Sequence, residues 1–175
     1  MLTTIVAVVS DMHTGSVVGI MPRAWHAYDG HVIQQNPLQE ILYAQWLECW
    51  EAVRQLCDAN PDAKLIVVNA GDPVDGDHHE TTELTTQRID EQERMHVALM
   101  QEALKTVHFD HVVDELYYIA GTPAHGGIGA TSEERIVRTL LGDSASGGTR
   151  ALRVLRRRVN GVLFEVAHQG ARPGH

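Results

Sequence analysis

The sequence predicts an α/β domain. Short apolar, β-branched runs at residues 3–10, 65–68 and 114–120 read as strands. Stretches whose apolar residues recur about every 3.6 positions separate them and read as helices. Each strand-like run exits into glycine, aspartate or histidine rather than into an ordinary turn. The chain has 175 residues, enough for one sizeable core, and is expected to form one domain over 1–175.

Residues 3–10 form the first expected strand and end in Asp11-Met12-His13. In extended chain, residues i and i+2 point the same way, so Asp11 and His13 could reach one ion together. Residues 14–37 mix Gly, Pro, His and aromatic residues without clear periodicity and read as a long loop carrying Trp25, His26, Tyr28, Asp29 and His31. Such a loop either walls a substrate pocket or packs over the core with no ligand role. Residues 38–59 read as a helix that Asn60-Pro61 stops, with Trp46 and Trp50 packed as an i, i+4 pair in the core. Cys49 and Cys57 fall in that helix, about 12 Å apart along its axis, too far for a disulfide. They are expected to be buried thiols, which fits a reducing, cytoplasmic setting.

The central stretch is 64–79, KLIVVNAGDPVDGDHH. An apolar strand breaks at Gly71, where the backbone can turn sharply, and is followed by Asp72, Asp75, Asp77, His78 and His79. Carboxylates and imidazoles at a strand exit are ligands for hydrated divalent metals; taken alone, the same residues describe an acidic, solvated turn. A second helix is expected over 83–105, with His96 and His108 as solvated or internally satisfied histidines. The strand at 114–120 leads into Gly121-Thr122-Pro123-Ala124-His125. A short helix is expected over 131–141, where Glu133 and Glu134 suit the positive end of the dipole. Two further strands, 150–159 and 161–167, flank the hairpin turn signal Asn160-Gly161, and the second ends in His168. The arginines at 150, 153, 156, 157 and 158 are either a solvated hairpin face or a local track for phosphate.

No apolar run reaches the roughly 18 residues of a membrane span, and the N-terminus reads as a strand rather than a leader peptide, so no membrane partner is expected. The formal charge of −9 disfavours broad binding to nucleic acid without excluding a local basic groove.

Four strand exits thus carry ligand-type residues: Asp11/His13, Asp72/Asp75, Thr122/His125 and His168. Beyond the carboxyl ends of the strands of an α/β sheet, residues distant in sequence can converge on one site. In this order and spacing the chain resembles the calcineurin-like metallophosphoesterases, whose pattern runs D-x-H, GD-x-x-D/N, GNH, a lone His and GH-x-H. Asp11-Met12-His13, Gly71-Asp72-Pro73-Val74-Asp75 and His168 match the first, second and fourth blocks. The stretches 76–79 and 121–125 resemble a phage-type branch in which GDHH follows the second block and GT-x-AH replaces GNH.

The resemblance implies an αββα sandwich, two mixed sheets flanked by helices, with two divalent metal ions. Manganese comes first, and iron, zinc and magnesium stay open. Asp11 and His13 would hold one ion, Asp72 would bridge both, and Thr122 and His168 would hold the other; Asp75, His78 and His79 would support the site or touch substrate. The ions would activate water for attack on a phosphomonoester or phosphodiester, and His125 would protonate the leaving alkoxide or stabilise charge on the phosphoryl oxygens. Two departures stand out: Thr122 occupies the place of a ligating Asn, and the closing GH-x-H block is missing, with Gly174-His175 holding only its first two letters. A chain truncated there would leave a sheet edge open to pairing with another protomer. The alternatives are a weak or inactive relative serving as a scaffold, and a nuclease acting on DNA or RNA.

Overall fold

A computed structural model describes residues 3–76, 83–110, 112–126, 131–142 and 151–168. Strand β1 (Thr4–Val9) is followed by a small antiparallel hairpin, β2 (Ala24–His26) and β3 (Val32–Gln34). Helix α1 (Pro37–Ala59), β4 (Lys64–Asn69), α2 (Ile89–Thr106) and β5 (Glu115–Ile119) come next. A single helical turn, α3 (Pro123–Gly126), precedes α4 (Thr131–Leu141), β6 (Ala151–Leu152) and the hairpin β7 (Leu155–Val159) and β8 (Val162–Val166).

The main sheet is parallel throughout, in the order β1-β4-β5-β6. Every crossover steps the same way across it, so crossovers of one hand bring their helices to the same face. The core follows that geometry. Alternate strand residues Ala7, Leu65, Val67, Leu116 and Tyr118 pack against Trp46 and Trp50 of α1, Met100 of α2 and Ile136 of α4. The intervening residues Ile66, Val68 and Ile119 face the other way and meet Leu155, Val159 and Val166 of the β7–β8 hairpin. Because β4 is covered on both faces, its sequence is apolar without alternation.

The α/β class is therefore present, with a parallel sheet flanked by three helices. Where the resemblance implies two mixed sheets, the described residues form one parallel sheet with a two-stranded hairpin on its second face.

Several boundaries differ from the sequence reading, each for a visible reason. The stretch 14–37 is not structureless: Trp25 pairs with Ile33 across a hairpin whose turn contains Asp29-Gly30. Helix α1 starts one residue earlier than expected, with Pro37 in its first turn. Asn36 caps it in a capping box with Gln39. Helix α2 starts at Ile89 rather than 83, because residues 83–85 lace onto 15–17 through Val17 N–H to the Glu83 carbonyl (2.9 Å) and Thr85 N–H to the Gly15 carbonyl (2.7 Å). The strand expected over 150–159 is broken by a bend at Arg153-Val154, which lets β6 stay in the sheet while β7 leaves it. Cys49 is exposed and Cys57 half-buried, so the expected burial of both thiols does not hold; helix α1 turns Trp46 and Trp50 inward instead, 5.3 Å apart edge to face. Among the described residues no helix is long and apolar enough to cross a membrane.

Candidate metal centre

The site lies beyond the carboxyl ends of β1, β4 and β5. Past the strands, the two loops stay laced together: Asp11 N–H bonds the Gly71 carbonyl (3.0 Å), His13 N–H the Asp72 carbonyl (3.1 Å), and Asp75 N–H the Thr14 carbonyl (3.1 Å). Asp11, His13 and Asp72 all adopt left-handed backbone, with φ of 54°, 43° and 48°. Outside glycine this region is sparsely used, with Asp and His among the residues that tolerate it. The extended geometry expected for Asp11-Met12-His13 is therefore replaced by a turn. Met12 points down into the core, 2 % exposed. His13 Nε2 still comes within 3.8 Å of Asp11 Oδ1.

Two glycines make the approach of the loops feasible. Gly71 has a φ of 118°, and a Cβ there would lie 2.3 Å from His168 Nδ1. At Gly121 a Cβ would lie 2.1 Å from Asp72 Oδ1. Both neighbours are far too close for any side chain, so these positions are restricted to glycine while His168 and Asp72 stay where they are.

Two groups of potential ligand atoms result, each spanning no more than 4.8 Å: His13, Asp72 and His125, and Asp11, Asp72 and His168. Asp72, 3 % exposed, belongs to both. The grouping crosses the expected one, since Asp11 sits with His168 and His13 with His125.

The histidines are fixed from behind. His168 Nδ1 donates to the Ala70 carbonyl (2.9 Å), His125 Nδ1 to the Asp75 carbonyl (2.5 Å), and His13 Nδ1 to Asp75 Oδ1 (3.0 Å). A carbonyl can only accept, so in the neutral imidazole the Nδ1 proton is committed and Nε2 carries a lone pair. That lone pair faces carboxylate: His168 Nε2 is 3.0 Å and His125 Nε2 4.0 Å from Asp72 Oδ2. Two acceptors 3.0 Å apart, as in the His168 pair, call for a cation or a proton between them. Ligands about 2.1 Å from one metal and at right angles to each other lie about 3 Å apart.

Thr122 stands against the shared carboxylate. Its N–H donates to Asp72 Oδ1 (2.7 Å) and its hydroxyl lies 3.2 Å from both Asp72 oxygens, so it orients the shared carboxylate. Asp75, 7 % exposed, serves two histidines at once. Asp77, His78, His79, Gly174 and His175 lie outside the described residues.

For three further residues the partners they hold are not apparent from the sequence. Glu133, fully buried in the first turn of α4, accepts the Gly121 N–H (2.8 Å), fixing the loop that carries Thr122. Burial, with the Asp72 charge adding to it, raises its carboxyl above the ordinary range. Gln92, also fully buried, clamps Gly76 through both its backbone groups (2.8 and 3.2 Å). Of the two expectations for His96, the internally satisfied one holds: it is 0 % exposed, its Nε2 lies 2.8 Å from the Tyr118 hydroxyl, and burial pushes its pKa down to about 3. The only advance sign of these residues was a polar side chain at a position that helical periodicity turns inward.

Comparisons with protein-family models, with curated proteins and with solved structures return no match.

Proposed function

We propose that the chain is a metal-dependent phosphoesterase whose centre takes two divalent cations, with the β7–β8 hairpin as the second layer of a metallophosphoesterase-like sandwich. The observation that carries this reading is the Asp72 carboxylate, shared by two ligand groups whose histidines are all oriented by Nδ1 bonds from behind. Such backing bonds are the usual way proteins hold metal-binding imidazoles. The donor set fits the ions: mixed imidazole and carboxylate suit manganese, iron or zinc.

Asp11, Asp72 and His168 would hold one ion, and His13 and Asp72 the other, with His125 in reach. When bound, the two cations would polarise a phosphoryl group and bring the pKa of water towards neutrality. The Asp72 carboxylate would be common to both ions, and the Thr122 N–H and hydroxyl keep it in place. Asp75 sets the tautomer of His13 and His125. With Nδ1 held by the Asp75 carbonyl, His125 presents Nε2 to the site, and a proton carried there is placed to reach a leaving alkoxide.

The test is hydrolysis of bis-p-nitrophenyl phosphate with and without added manganese. Manganese-dependent turnover that disappears in Asp72→Asn supports the reading. No turnover in the wild-type chain with its metals loaded favours a scaffold.

A further inference from the structure

Between α2 and α4 lies an open cavity of about 540 Å³, lined also by Trp25 and Tyr28 from the β2–β3 segment. This is the size range of small-molecule sites. Its charged lining is three arginines, Arg94, Arg135 and Arg138, against two carboxylates, Asp90 and Glu93. Both carboxylates are already engaged, Asp90 by Arg88 (3.0 Å) and Glu93 by Arg135. Arg94 and Arg138 therefore remain without a carboxylate partner among the described residues. The Arg94 guanidinium lies 4.3 Å from the Tyr28 ring centroid and 5.3 Å from that of Trp25, contacts that engage its cationic carbon and use up none of its N–H donors on a carboxylate. Val97 and Ile136 contribute apolar side chains to the lining.

From these features we infer that this cavity is a binding site for a small organic phosphate with a planar, apolar body, the chemical class of a nucleoside monophosphate. Two unmatched guanidinium groups suit a dianion, which Arg recognises through paired N–H donors. The apolar lining suits a ring. The net charge of −9 disfavours a long polyanion at the same place. The site involves none of the candidate metal ligands and stands or falls separately from the proposed activity.

Adenosine monophosphate, adenosine and inorganic phosphate are titrated in EDTA into the intact chain, by calorimetry and by tryptophan fluorescence. Trp46 and Trp50 are 6 % and 2 % exposed in the core, so quenching reports on Trp25. The expected result is adenosine monophosphate binding at least tenfold tighter than either fragment, with quenching. Arg94→Gln and Arg138→Gln, both at exposed helix positions, are expected to weaken it at least tenfold each, while Asp72→Asn leaves it unchanged. Equal affinity for the nucleotide and adenosine, wild-type binding in the Arg94→Gln/Arg138→Gln double variant, or loss of binding in Asp72→Asn would each overturn the inference.

Discussion

Replacing Gly71 with alanine tests whether the site is built by close approach of two chain segments. The substitution has two separable costs. The backbone sits at φ 118°, where an L-residue is strained by about 1–3 kcal/mol. The new Cβ would also lie 2.3 Å from Nδ1, 2.5 Å from Cγ and 2.8 Å from Cβ of His168. The imidazole has to leave, which forfeits its hydrogen bond to the Ala70 carbonyl, about 1 kcal/mol. Together these come to about 2–4 kcal/mol, and for a chain of this length each 1 kcal/mol lowers Tm by about 2–4 °C. Thermal unfolding should therefore occur roughly 4–16 °C below wild type. Metal analysis of the folded variant should show loss of the ion that Asp11, Asp72 and His168 would hold. A Gly71→Ala chain melting within about 2 °C of wild type, a shift smaller than 1 kcal/mol produces, would refute the packing argument.

Asp75→Ala, which frees the Nδ1 of His13 and removes no ligand of its own, should weaken metal affinity about 10–100-fold in a competition assay. His125→Ala should abolish turnover; two ions retained would make His125 the proton donor, one ion lost would make it a ligand, and wild-type turnover would contradict both roles. For His96, the folded-state value of about 3 lies below the ordinary imidazole value of 6.5, so on acidification the unfolded chain takes up a proton the folded chain cannot. Its contribution to stability is complete above about pH 6.5 and is lost as the pH falls towards 3, by up to about 1.4 kcal/mol per pH unit. Urea unfolding of wild type and His96→Phe between pH 4 and 6 should differ in slope by that one proton, and equal slopes would remove His96 as the cause. The exposed His31, by contrast, should be replaceable by alanine with no change in metal content or melting.

The strands and helices were legible because their signals are local. The apolar run at 65–68, the Asn60-Pro61 stop after α1 and Asn160-Gly161 between β7 and β8 all act within a few residues. The convergence of Asp11, Asp72, Thr122 and His168 was legible only as a repeated pattern at strand exits. How they group depends on the left-handed turns at Asp11, His13 and Asp72, which arise from lacing between segments some 60 residues apart, about the separation of Asp11 from Gly71. The β2–β3 hairpin was hidden by strands of only three residues each, although Asp29-Gly30 marks its turn. Glu133 reads as a dipole partner at a helix end; its engagement with Gly121 depends on a contact across the fold. The same holds for His96, whose partner Tyr118 sits on a different element.

The most direct test of the shared-carboxylate centre is elemental analysis of the purified chain beside its Asp72→Asn variant, after equilibration with manganese and removal of free ion. Two ions per wild-type chain, with both lost or severely weakened in the variant, is the expected result, because Asp72 is common to both ligand groups. Two ions retained in Asp72→Asn, or none bound by the wild type, would contradict it.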